Sequence, residues 1–229
     1  MTEPRLDGAG PMRLPSSDPA PGALLVIISG PSGVGKDTII DALRRRRHDR
    51  DYHYVVTCTT RSMRPGEVDG VDYHFLDRVT FDSWREAGEL LEANEVHGNW
   101  YGTPRAQLRE ALAAGKDVIL KIDVQGAQVV KEKIPDALLI FIVPPSLEDL
   151  FHRLRSRATE TADQLEIRQR NAAIELARQH DYDYVVTNET GQLERTVDTI
   201  DEIIGREHAL HPDRRVEVYS RSPDGSPTA

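Results

Sequence analysis

The stretch ALLVIISGPSGVGKDTII, residues 23–40, constrains this chain more than any other. Its opening run, ALLVIIS, has no polar alternation and reads as a strand buried on both faces. GPSGVGKDT follows at 30–38 and matches the spacing G-x-x-x-x-G-K at Gly30, Gly35 and Lys36, after which Lys36 to Arg47 reads as a helix. Strand, glycine loop, lysine and helix in that order specify a phosphate-binding loop. The glycines let backbone N–H groups converge on phosphate oxygens, and the helix adds the positive end of its dipole. Gly30, Pro31, Ser32, Gly33, Val34, Gly35, Lys36, Asp37 and Thr38 are therefore the expected seat of nucleotide phosphates, with Lys36 reaching the terminal ones. Asp37 breaks the pattern, because a Ser or Thr hydroxyl normally stands there on magnesium; Thr38 follows at once. Magnesium is often held by phosphates, waters and one or two carboxylates. The departure thus bears on metal geometry, with Asp37 and Thr38 as metal candidates, and not on nucleotide binding.

The 229 residues suit one large domain, or one domain with a small insert. A net charge of -9 and a pI near 5.4 argue against a general nucleic-acid surface. The arginines at 44–47 read as a helix C-terminus complementing the macrodipole. Cys58 is the single cysteine, so no internal disulfide forms; this fits a reducing cytoplasm, and the residue reads as a small space-filling group. The apolar runs, such as Ala23 to Ile28, are too short to span a membrane, and the flanks of that run do not make a signal peptide. A cytoplasmic protein without a membrane segment is expected. The eight histidines show no metal-ligand spacing.

Residues 1–22 are rich in Pro, Gly and Ala, and residues 211–229 are similar, so both ends are expected to be disordered tails. Between them, apolar runs at 23–29, 52–57, 117–123, 137–143 and 182–187 read as strands. Helical patterns fall at 104–114, 124–133, 146–157, 163–179 and 193–208. This alternation implies an α/β fold with a parallel sheet covered by helices on both faces. The core is expected over 23–57 and 101–210. Residues 58–100 break the rhythm: turn-rich and aromatic, they read as an inserted substrate domain.

The insert opens with VTCTTRSMRPGEVDGVDYHF, residues 56–75, where Arg61 and Arg64 stand beside Thr57, Thr59 and Thr60, with Glu67 and Tyr73 following. Guanidinium forks suit a phosphate monoester, and a tyrosine hydroxyl adds a neutral donor. Taken alone the segment reads equally as a polar hairpin with solvated arginines. Together with GPSGVGK, GNWYGT, IDVQG and PPSLEDLFHRLRSRATET, it makes the chain resemble the guanylate kinase family from about residue 23 to 207.

That resemblance implies a P-loop nucleoside-monophosphate kinase fold with a core, a small GMP-binding insert and a helical lid at about 153–170. It implies transfer of the terminal phosphoryl group of ATP to GMP or dGMP, with magnesium, in purine nucleotide metabolism. Arg61, Arg64, Tyr73 and Tyr101 match the clamp on the GMP phosphate, with Glu67 beside them. Thr57, Glu92 and Thr103 match the guanine-reading residues; the two threonines stand where family members often have serine, and both keep the hydroxyl. Glu92 also makes sense chemically, because one carboxylate can accept from both guanine N1–H and the exocyclic amine. Arg153, Arg157 and Arg168 match the lid arginines, Arg155 points elsewhere on the helix, Arg170 is a weaker match, and Asn188 matches an asparagine near the ATP base.

Asp123 ends an apolar strand near the loop, where magnesium is usually supported. The family pattern has a second acid two positions earlier, and here that position is Lys121. The two departures suggest a compensating charge pair between Asp37 and Lys121. Two other readings compete with a kinase for GMP. A non-catalytic interaction module is disfavoured by Lys36 and the lid arginines, and a kinase for a sugar phosphate by Thr57, Glu92 and Thr103.

Overall fold

The computed structural model describes residues 22–46, 51–96, 98–155 and 162–219. The expected N-terminal tail, apart from Gly22, lies outside these residues. In chain order the first elements are β1 (Leu25–Ser29), α1 (Lys36–Arg45), β2 (Tyr52–Tyr54), β3 (Cys58–Thr59), β4 (His74–Phe75), α2 (Arg78–Glu86), β5 (Leu90–Val96) and β6 (Asn99–Pro104). There follow α3 (Arg105–Ala113), β7 (Asp117–Lys121), α4 (Val124–Lys133), β8 (Leu138–Val143), α5 (Leu147–Arg155), α6 (Ala162–Leu176), a 3₁₀ turn at Ala177–Asp181, β9 (Tyr184–Thr187) and α7 (Leu193–Leu210).

Five strands form one sheet in the order β2-β7-β1-β8-β9, with every pairing parallel. All of β1 is buried, as its unbroken apolar run requires. Residue parity sorts its side chains onto two cores. Leu24, Val26 and Ile28 pack with Ile39 and Leu43 of α1 and Val197, Ile200 and Ile204 of α7. Ala23, Leu25 and Ile27 pack on the other face with Leu108 and Leu112 of α3 and Ala127 and Val130 of α4. The expected strand at 52–57 is cut to Tyr52–Tyr54, because after Val55 N–H bonds Ile119 O at 3.0 Å the chain departs for a second sheet.

That sheet has four strands in the order β4-β3-β6-β5 and runs from residue 58 to residue 104, against the 58–100 expected for the insert. Its own small core holds Cys58, Phe81 and Leu90. Helix α2 has no counterpart in the sequence expectations; Asp77 caps it by accepting from Thr80 N–H at 2.7 Å, and Phe81 anchors it.

The expectation of a disordered tail from residue 211 is corrected for residues 211–219. Val216 is 1% exposed in the α3–α4 core, and Val218 packs beside it. Gly22 N–H bonds Arg214 O at 2.9 Å, and Tyr219 O accepts from Arg105 at 2.9 Å. Val216 and Val218 alternate as a half-buried extended segment does. Averaging them with the Pro- and Ser-rich end had hidden that pattern.

The first residue of β7 is tied on both sides. Asp117 accepts from Leu24 N–H at 2.9 Å through one oxygen, and its other oxygen lies 2.8 Å from His208 Nε2 of α7. Both side chains are buried. Asp117→Ala strands a buried N–H and a buried imidazole, so it should lower the unfolding free energy by about 2–4 kcal/mol in urea titrations. A loss below about 1 kcal/mol would show that water replaces the carboxylate.

Candidate active site

The glycine loop lies where the sequence expects it, between β1 and α1, pressed against its surroundings. Gly30 has φ 142°, and a Cβ there would stand 2.3 Å from Ile142 O of β8. Gly35 has φ 101°, and a Cβ would stand 2.6 Å from Asn188 Nδ2. Both the conformation and the space therefore demand glycine. Helix α1 begins at Lys36 with no side-chain cap on its first turn, the arrangement a bound anion complements. Lys36 Nζ donates to Gly30 O at 2.5 Å and Pro31 O at 3.1 Å. Burial lowers its pKa, against the opposing pull of Asp37, Glu175 and Asp123.

A cleft of about 630 Å³ joins this loop to the second sheet. Thr57, Arg61, Arg64, Tyr73, Glu92 and Tyr101 line one side, and Lys121 and Asp123 line the floor at the end of β7. Arg168 and Glu175 of α6 close the loop side. Arg61 is held by Glu67 Oε1 at 2.7 Å, and Glu67 Oε2 accepts from Arg64 N–H at 2.7 Å. Glu67 is thus a brace for both arginines and is not itself on the cleft wall. Tyr73 and Tyr101 meet edge to face at 6.0 Å between ring centres.

Glu92 lies on β5 and is 4% exposed. Thr103 Oγ1 donates to Oε1 at 2.6 Å, and Asn94 Nδ2 donates to Oε2 at 2.6 Å. Burial pushes the carboxyl up to about 7, with Asp123 adding to the rise, while Thr103, Asn94 and Lys133 favour the charged form. Thr57 is buried on the same wall.

The remaining candidates divide. Asp123 lines the cleft and caps α4, one oxygen accepting from Gln125 N–H at 2.8 Å and Gly126 N–H at 3.0 Å. Asp37 and Lys121 do meet, 2.5 Å from oxygen to nitrogen. Thr38 is exposed and off the cleft wall, so it does not take over the hydroxyl that Asp37 lacks. Arg168 Nη2 donates to Ser32 Oγ at 2.8 Å. Arg153 instead braces the loop from behind, bonding Val34 O at 3.2 Å, Asn188 O at 3.1 Å and Thr190 Oγ1 at 2.8 Å. Asn188 is buried there too, donating to Val34 O at 2.8 Å, and is not on the cleft wall. Arg157 lies outside the described residues. Arg155 is exposed, and Arg170 pairs with Glu166 at 3.6 Å away from the cleft. Among the described residues no group of three His, Cys, Asp or Glu side chains could hold a metal by itself.

Two site residues escaped the sequence reading. Asn94 stands two positions after Glu92 on one strand, so period-two spacing places both on one face. Glu175 stands seven positions after Arg168, two helical turns along the same face, and accepts from Ser32 N–H at 3.2 Å.

A parallel α/β core carrying a lysine-bearing phosphate loop, joined to a small sheet bearing an arginine-tyrosine clamp, defines a P-loop nucleoside-monophosphate kinase. The guanylate kinase family model matches residues 23–207. A guanylate kinase of Halalkalibacterium halodurans is 45% identical over 196 residues, spanning 86% of this chain and 94% of its own length. One of Mycobacterium bovis is 45% identical over 185 residues, spanning 79% and 88%. The crystal structure of guanylate kinase from Anaplasma phagocytophilum superposes with a TM-score of 0.67 at 34% identity, covering 81% of this chain and 86% of that one. The chain belongs to the guanylate kinase family.

The raised pKa of Glu92 makes stability depend on pH. A carboxyl at about 7 in the folded state, against the ordinary 4.5, favours folding fully below 4.5 and loses that contribution as pH rises through 7. Relative to Glu92→Gln, the unsubstituted chain should lose on the order of 2–3 kcal/mol of unfolding free energy between pH 4.5 and pH 8. Parallel stability curves for the two chains would contradict a buried, titrating Glu92.

Proposed function

We propose that this chain transfers the terminal phosphoryl group of ATP to GMP or dGMP, giving ADP and GDP or dGDP. The observation that carries the reading is Glu92, a buried carboxylate steadied by Thr103 and Asn94 in the same cleft as Lys36. Each carboxylate oxygen has two lone pairs, so both can still accept after these bonds. Guanine offers N1–H and a 2-amino group side by side, and adenine has no such pair on that edge. A site built for those donors rejects a base lacking them by roughly 10⁴ or more.

Lys36 and the loop amides hold the phosphates of ATP, while Arg61, Arg64, Tyr73 and Tyr101 hold the phosphate of GMP. An acceptor oxygen attacks the terminal phosphorus in line as the bond to the leaving ADP oxygen breaks. No side-chain nucleophile takes part; catalysis is positioning and charge stabilisation. Arg168, already at Ser32, brings a charge over the loop, and Arg153 keeps the loop in place from behind. Magnesium, if bound with ATP, would supply neutralisation of phosphate charge. Asp123 is the described carboxylate that would hold it, because Asp37, though also on the cleft lining, is paired with Lys121, and Thr38 is not part of the lining. Among the described residues no helix is long and apolar enough to cross a membrane.

A coupled ADP-release assay with GMP, dGMP, AMP, CMP and UMP tests the reading. GMP and dGMP should turn over and the other three should not. Glu92→Gln turns an acceptor toward a donor and should lower kcat/KM for GMP by roughly 1–3 kcal/mol, or about 5- to 150-fold. Comparable turnover of AMP, or an unchanged kcat/KM in the variant, would contradict the assignment.

A further inference from the structure

Two cations meet at one aromatic ring on the cleft wall. The Arg61 guanidinium carbon lies 5.6 Å from the centre of the Tyr73 ring, and Lys121 Nζ lies 4.9 Å from it. Each is held by its own carboxylate, Arg61 by Glu67 at 2.7 Å and Lys121 by Asp37 at 2.5 Å. The two halves come from different sheets. Arg61 and Glu67 belong to the loop after β3, whereas Lys121 closes β7 and Asp37 lies in the first turn of α1. In register Lys121 pairs with Ile28, two residues before the phosphate loop begins at Gly30.

Exposure shows which way the pair faces. The Asp37 side chain is 66% exposed and the Lys121 side chain only 20%, so the carboxylate borders solvent and the ammonium is drawn into the cleft wall. Burial works against the lysine's charge, but Asp37 and the Tyr73 hydroxyl outweigh it, and the pKa stands above its ordinary value. Lys121 therefore remains charged throughout the neutral range. An ammonium carries three donors; Asp37 and the Tyr73 hydroxyl engage two, and a third remains for a ligand. A simple surface ion pair contributes little to stability, whereas a charged donor lining a phosphate cleft is placed to act on a ligand.

We propose that Lys121 is a further phosphate-binding residue of the acceptor site, a second carboxylate-held cation that completes the seat formed by Arg61, Arg64 and Tyr73. This rests on the GMP reading above. A monoester phosphate near neutral pH carries close to two charges, and Arg61 is already partly neutralised by Glu67. Lys36 lies on the loop side and serves the donor phosphates, while Lys121 stands at the ring of Tyr73, on the acceptor side.

Calorimetric titration of the full chain with GMP and, separately, with guanosine tests this, because guanosine keeps the base and lacks the phosphate. Lys121→Gln and Lys121→Met should each weaken GMP binding about tenfold, the scale of one charged hydrogen bond. Guanosine affinity should stay within about twofold and so report that the pocket is intact in each variant. Lys121→Arg should recover GMP binding to within about threefold. GMP affinity unchanged in both neutral variants would overturn the proposal, as would equal losses for GMP and guanosine, or no recovery in Lys121→Arg. Failure of the unsubstituted chain to bind GMP would overturn the guanylate reading itself, and this proposal with it.

Discussion

Helix α4 is wedged between the parallel sheet and the second sheet, and its close approach to Glu92 sets the geometry of the whole cleft. A Cβ on Gly126, in its first turn, would stand 3.3 Å from Glu92 Oε2. At its far end Lys133 Nζ donates to Leu91 O at 2.8 Å. The helix starts where it does because Asp123 caps it directly after β7, and β7 pairs with β1, which feeds the phosphate loop. One continuous path, from β1 to β7 to Asp123 to α4 to Glu92, thus fixes the distance between Glu92, the base-reading group of the proposed function, and the phosphate loop. A site that must align two nucleotides end to end needs that distance held rigidly.

The same contact explains the balance at Glu92. Burial and Asp123 disfavour its charge, while Thr103, Asn94 and Lys133 favour it, and the result is a carboxyl poised at about 7. The first turn of α4 adds the positive end of a helix dipole beside it. In the proposed function, guanine's two N–H donors tip this balance toward the carboxylate. Adenine offers no such donor pair and leaves the balance where it stands in the free chain.

What could be read from the sequence was whatever rests on local order. The phosphate loop is written in nine consecutive residues, and the two-faced burial of β1 follows from an unbroken apolar run. The Asp37–Lys121 pair was legible because two departures fell at positions that the loop and strand assignments bring together. What was not legible depends on packing between distant segments. Glu67 looks like one more clamp residue until its carboxylate is seen gripping Arg61 and the Arg64 N–H. Arg153 matches a lid arginine but bonds carbonyls behind the loop. Helix α2 is short and rests on one buried ring, Phe81, within a stretch of turns. Val216 and Val218 reveal themselves only when the face of α3 and α4 that they cover is present.

The central claim is that Glu92 is a buried, titrating carboxyl whose ionisation is coupled to guanine. Carboxyl-carbon NMR titration, with the Glu92 resonance assigned by its loss in Glu92→Gln, measures this directly in the free chain and in the presence of saturating GMP or AMP. The account predicts an apparent pKa of about 7 in the free chain, a fall of at least about one unit with GMP, and no change with AMP. A free-state value in the ordinary carboxylate range, or a value that GMP leaves unmoved, would contradict it.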